Sequence, residues 1–109
     1  MLVKPASEVP LEPAQEGIGI RWLIAAKDGA PNFAMRVIEI EPGVTFAPHA
    51  HAWEHEIYAL EGEGVLLGAE GERPLMQGQA IFVPPDELHG YRNTGEKTLK
   101  FICVIPHTK

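Results

Sequence analysis

Residues 49–56 read HAHAWEHE. Three imidazoles in seven positions either converge on one centre or decorate a solvated loop, and the choice between them decides the fold. Along an extended chain successive side chains point to opposite faces. His49, His51 and His55 then share one face, and Glu54 and Glu56 take the other. A bend at Ala52-Trp53-Glu54 is the local feature that could reset this parity. An H-x-H pair suits a transition metal, and a third imidazole on the same face strengthens that reading.

The surrounding chain supports extended structure. Eleven glycines and ten prolines among 109 residues leave no window for a long helical period. Short strands are expected over 18–25, 33–41, 57–60, 65–67, 80–83, 88–93 and 99–105, with KDGAPN and NTGEK as turns and LGAEGERP as a hairpin loop. About eight or more short strands at regular turn spacings indicate an all-β sandwich or barrel. In the strand over 33–41, alternation sets Ala34, Arg36, Ile38 and Ile40 on the inward face. Arg36 there either snorkels or pairs with a buried acid, or it reaches into a polar cavity.

Two other histidine signatures fail on spacing. A helical H-E-x-x-H zinc site would need a histidine where Ala59 stands. An H-x-H-x-D-H pattern would need its last histidine one position earlier, with an aspartate before it.

A third pattern fits. Gly43-x5-His49-x-His51-x3-His55-x6-Gly62 resembles the first motif of the cupin family, G-x5-H-x-H-x(3,4)-E-x6-G, with histidine in place of the glutamate. Glu56 fits worse, because Gly62 would then come one residue too soon. Gly78-x5-Pro84-x-Asp86-x2-His89-x3-Asn93 resembles the second motif, G-x5-P-x-G-x2-H-x3-N, with Asp86 in place of the inner glycine. Aspartate tolerates the left-handed conformation such a turn requires. HAHAWEHEIYALEGEG and FVPPDELHGYRN look most like the small single-domain bacterial cupins with a four-histidine manganese centre.

The resemblance covers roughly residues 33–105 and implies a double-stranded β-helix, a small jelly-roll barrel, in one domain over 18–109. Residues 1–17 form an N-terminal arm outside it. It also implies one divalent metal in the barrel mouth, held by His49, His51, His55 and His89. Manganese is the metal of the resembling proteins; imidazole donors also suit iron, zinc, nickel or copper. Four neutral imidazoles leave the ion its full double positive charge, where a carboxylate would have cancelled part of it. Glu54, Glu56 or backbone carbonyls are candidates to hold the far side of each ligand ring. On the last strand Phe101, Cys103 and Ile105 share a face, and with Arg36, Phe46 and Tyr91 they are the candidate substrate pocket. His107 falls outside both motifs and is expected to face solvent.

An open metal site of this kind suggests a metal-dependent oxidoreductase, dioxygenase-like, acting on a small organic molecule with an enolisable carbonyl, carboxylate or activated double bond. A non-catalytic small-molecule or metal-binding module is the alternative from another class. A sugar isomerase or epimerase is weaker, since no basic cluster for a sugar phosphate is visible. Net charge is −6 with only nine basic residues, all scattered, which argues against a nucleic-acid partner. The longest apolar runs fall far short of a bilayer span, so no membrane role is expected. The N-terminus lacks the apolar stretch of a signal peptide, and a single cysteine fits a reducing compartment, so a cytoplasmic location is expected. The arm carries Leu2, Val3, Val9 and Leu11 among prolines, too apolar for a free tail, and is expected to contribute to a homodimer interface.

Overall fold

The computed structural model describes residues 1–107 and contains ten strands: β1 Glu12–Gln15, β2 Ile18–Ile24, β3 Phe33–Ile40, β4 Thr45–His49, β5 His55–Glu61, β6 Glu63–Gly68, β7 Gly71–Met76, β8 Ala80–Val83, β9 His89–Asn93 and β10 Leu99–Pro106. Helix among these residues is limited to two three-residue 3-10 turns. The strands form two antiparallel sheets, a six-stranded one in the order β1-β2-β3-β10-β5-β8 and a four-stranded one in the order β4-β9-β6-β7. The fold is an all-β double-stranded β-helix.

Two expectations need correction. LGAEGERP is mostly strand: Leu67 and Gly68 end β6, Gly71 to Pro74 begin β7, and only Ala69 and Glu70 turn the chain. Pro74 is tolerated because β7 is the edge of its sheet, where a missing N–H costs no ladder bond. His107 does not face solvent freely. Its Nε2 lies 2.6 Å from the Ala30 carbonyl, and its backbone N–H donates to Asn32 O at 3.0 Å.

The core lies between the inner faces of the two sheets and includes Ile38, Ile40, Ile57, Leu75, Leu99 and Phe101. Ile40, Leu75, Leu99 and Phe101 are completely shielded from solvent. Truncating a side chain such as Phe101 to alanine typically costs about 3–5 kcal/mol in lost contacts and cavity.

Residues 12–15 of the arm pair as β1 with β2 of the same chain. Arg21 secures the arm further, donating to the Val9 carbonyl at 2.6 Å and to Glu39 at 2.7 Å. At the other end of the fold, Asn93 closes the NTGEK turn. Its Nδ2 donates to the carbonyls of Ile40 and Lys97, both at 2.8 Å, and its Oδ1 accepts from Gly95 N–H at 2.9 Å.

Candidate metal centre

Four local features bring the histidines together. The first is a bulge in β4. Phe46 pairs with Tyr91 and His49 with His89, so three steps along β4 match two along β9. The extra residue falls at Ala47-Pro48, where proline has no N–H to lose from the ladder. The bulge lets Phe46 and His49, of opposite parity, face the same cavity; their rings stack at 5.2 Å.

The second feature is Gly90. A Cβ there would lie 2.6 Å from Phe46 O and 2.8 Å from Pro48 N, so only glycine lets β4 approach β9 this closely. The third is the bend at Ala52-Trp53, which turns the chain without flipping His55 away. The Trp53 indole lies flat on the His51 ring, 4.2 Å between centroids. The fourth is the turn before β9. Asp86 adopts φ 66°, the left-handed conformation that its place in the motif requires, and its N–H donates to the His51 carbonyl at 2.7 Å. The turn carrying His89 is thereby tied to the loop carrying His51.

His49, His51 and His89 each offer a ring nitrogen, and the three atoms lie within 4.8 Å of one another. His55 lies beside them, its Nε2 2.7 Å from His51 Nε2 and its ring 5.0 Å from that of His89. The opposite ring atoms are all engaged. Nδ1 of His49 faces Ala47 O at 3.3 Å, that of His51 faces Trp53 O at 2.8 Å, and that of His89 faces Glu87 O at 2.8 Å. A carbonyl can only accept, so in these three rings Nδ1 carries the proton and Nε2 keeps its lone pair. Nδ1 of His55 lies 2.7 Å from Cys103 Sγ. Carbonyls and a thiol thus take the orienting role for which Glu54 and Glu56 were also candidates.

The donor set fits a divalent transition metal on an independent observation. Nε2 of His89 is buried and has no hydrogen-bond partner among the described residues. An orphaned buried nitrogen is costly unless something fills its lone pair. Burial also favours the neutral form of His55 and His89, as metal binding requires. Desolvation, with His89 and Arg36 nearby, depresses the His55 pKa to about 3, and desolvation lowers that of His89 as well.

The cluster opens into a cavity of about 540 Å³. Arg36, Phe46, Tyr91, Phe101, Cys103 and Ile105 all line it. Trp22, Trp53, Ile20 and Ile38 line it too and were not singled out from the sequence, although Ile20, Trp22 and Ile38 follow the period-2 pattern of β2 and β3. Arg36 neither snorkels outward nor pairs with an acid. Its Nη2 donates to Cys103 Sγ at 3.1 Å, and its guanidinium lies 5.3 Å from the centroid of the Trp22 ring. Burial pushes the Cys103 thiol up, against the pull of the Arg36 charge, and pushes the Tyr91 phenol up strongly. Both hold their protons at neutral pH.

The cupin domain model matches residues 36–105, nearly two thirds of the chain and including all four clustered histidines. The chain belongs to the cupin family. Among curated cupins, it is 36% identical over 69 residues to an oxalate-binding protein of Thermotoga maritima, and the match spans 57% of that protein's length. Among solved structures, this cupin resembles a polyketide cyclase, RemF, from Streptomyces resistomycificus, with a TM-score of 0.90 and 34% identity over 97% of this chain and 79% of that one. It also resembles a Thermotoga maritima protein described as a predicted oxalate decarboxylase, with a TM-score of 0.85 and 26% identity over 98% of this chain and all of the other.

Proposed function

We propose that this cupin is a divalent-metal enzyme whose substrate is an enolisable carbonyl compound with an aromatic or otherwise apolar body, and that it promotes carbon–carbon ring closure. The observation that carries this reading is the pairing of a converging imidazole set with a large, aromatic-lined cavity that has no carboxylate on its wall. His49, His51 and His89 would hold the ion, with His55 as a fourth ligand. A bound divalent ion supplies Lewis-acid polarisation of a substrate oxygen, and manganese, iron, zinc, nickel and copper all suit such donors.

The chain's own residues account for the rest. Trp22, Phe46, Tyr91 and Phe101 form walls that pack an apolar body and exclude water. The Tyr91 phenol keeps its proton and is a hydrogen-bond donor on that wall. Aldol closure followed by loss of water needs no net oxidant. The likeness to the Streptomyces polyketide cyclase over nearly the whole chain supports this chemistry. A homodimer working in the cytoplasm remains part of the proposal, supported by the apolar arm and the single buried thiol.

A second reading, a non-catalytic binding module, draws on the likeness to the Thermotoga oxalate-binding protein. Oxidative chemistry on the same substrate class, as first expected, differs in consuming dioxygen. One assay separates all three. Zinc- and manganese-loaded protein is given a linear phenyl triketone, whose aldol closure releases one water and yields a phenol. Metal-dependent phenol formation without oxygen uptake supports ring closure, and oxygen uptake supports the oxidoreductase. Saturable binding of the triketone with neither supports the binding module.

A further inference from the structure

Arg36 is a cation set among groups that give it no counter-charge. It projects from β3 into the cavity, between Trp22 on β2 and Cys103 on β10, its direct neighbours in register. Its guanidinium carbon lies 5.3 Å from the centroid of the Trp22 ring, its Nη2 donates to a sulfur, and its Nε is buried with no partner among the described residues. Among the described residues no aspartate or glutamate lines the cavity, and the four clustered imidazoles offer no negative charge. A fixed positive charge and an unsatisfied donor in an apolar pocket are expensive unless a ligand supplies an anion.

We propose that Arg36 is the anion-binding residue of the site and selects aromatic compounds that carry a carboxylate or an ionised enol, a deepening that rests on the metal-centre reading above. The guanidinium presents its donors in a planar fork that matches a carboxylate or a pair of enolate oxygens. The Trp22 ring holds that plane in place from one side, and Cys103 Sγ restrains the Nη2 end. Nη1, which is not among the buried unpaired atoms, is the donor left for the ligand, and the sealed Nε leaves the fork's charge without a protein partner. Phe46, Tyr91 and Phe101 then take the aromatic body of the same molecule. Neutral chelators of equal size lose this charge-assisted contact, so they are discriminated against at the ground state.

The test is equilibrium binding, with turnover left out. Zinc-loaded wild type, Arg36→Lys and Arg36→Met are titrated with salicylate and with its neutral amide, salicylamide, followed by the fluorescence of Trp22 and Trp53. Wild type should bind salicylate at least about tenfold more tightly than the amide, the scale of one charge-assisted hydrogen bond. Arg36→Lys should keep part of that preference, and Arg36→Met should reduce it to within about twofold. Equal affinities in wild type, or a preference unchanged in Arg36→Met, would overturn the proposal. Zinc content is measured separately by atomic absorption in all three proteins. A wild type that holds no zinc overturns the metal reading, and the salicylate preference is then decided on that same metal-free protein.

Discussion

The imidazole of His55 and the thiol of Cys103 meet at 2.7 Å, Nδ1 to Sγ, across β5 and β10. The other three rings of the cluster rest on backbone carbonyls, which no substitution removes; His55 alone depends on a side chain. For His55 to turn an Nε2 lone pair toward an ion, Nδ1 must hold the proton and the sulfur must accept it. Cys103→Ala should therefore weaken metal binding by about tenfold, and Cys103→Ser, which keeps an acceptor, by clearly less. Chelator competition with zinc measures both. Equal losses in the two variants would show that the sulfur only fills space.

His55 rather than Glu56 is the residue of HAHAWEHE that should matter for the ion. His55 is buried beside His51, while Glu56 pairs in register with Phe82 and Val104 on the opposite, outer face of the sheet. His55→Ala should lower zinc affinity by more than about tenfold. Glu56→Ala should leave stoichiometry at one ion per chain. Metal analysis after dialysis reads both, and the reverse ranking would remove His55 from the ligand set.

The clustering of His49, His51 and His89 was legible because the motif spacing survives the fold, even though residues 50–54 leave the strand. Asp86 shows why the spacing was a sound guide: the turn demands a left-handed residue, and aspartate meets the demand. Elsewhere period-2 alternation misleads. Strict parity sets Phe46 opposite His49, and only the bulge at Ala47-Pro48, a tertiary feature of the β4–β9 pairing, brings them onto one side. β7 and β1 were hidden by Pro74 and Pro13, which read as breaks until each strand is known to lie at a sheet edge. The sulfur between Arg36 and His55 depends on the register of three strands, which no local pattern carries.

Acid should destabilise the metal-free protein in a defined window. The folded His55 pKa lies near 3, below its ordinary 6.5, mainly because burial penalises the imidazolium. Between these values the unfolded chain binds a proton that the native chain does not, so stability rises with pH there. The His55 contribution is complete above about pH 6.5 and is lost as the pH falls toward 3. Urea midpoints of metal-free wild type should drop more steeply across that window than those of His55→Gln. Parallel slopes would mean that His55 titrates normally.

Asn93 matches the last position of the second motif, yet its amide makes three bonds to backbone and faces no ligand. Asn93→Ala would leave the buried Ile40 carbonyl, the part-buried Lys97 carbonyl and the Gly95 N–H without this partner, costing on the order of 2 kcal/mol. Asn93→Asp should be no better, because it sets a carboxylate against the carbonyls of Ile40 and Lys97. Chemical denaturation should show the loss while zinc stoichiometry of the folded fraction stays normal. A variant stable to within about 0.5 kcal/mol would contradict this account.

The outer face of the six-stranded sheet carries Phe33, Met35, Tyr58 and Phe82, all exposed, with Met35, Val104, Glu56 and Phe82 in one row across four strands. Apolar groups set so closely on a sheet favour cover by a second surface. The arm adds Leu2 and Val3, also exposed, ahead of the point where Arg21 grips Val9. A two-fold homodimer is the expected cover for such surfaces. Removing residues 1–8 spares the Val9 contact and β1, so the isolated fold should survive and only the association should weaken. The full chain should then sediment as a dimer at micromolar concentration, and the shortened chain should shift toward monomer with a thermal midpoint that depends on protein concentration. A full-length chain that sediments as a monomer would refute the dimer, and a shortened chain that dimerises undiminished would remove the arm from its interface.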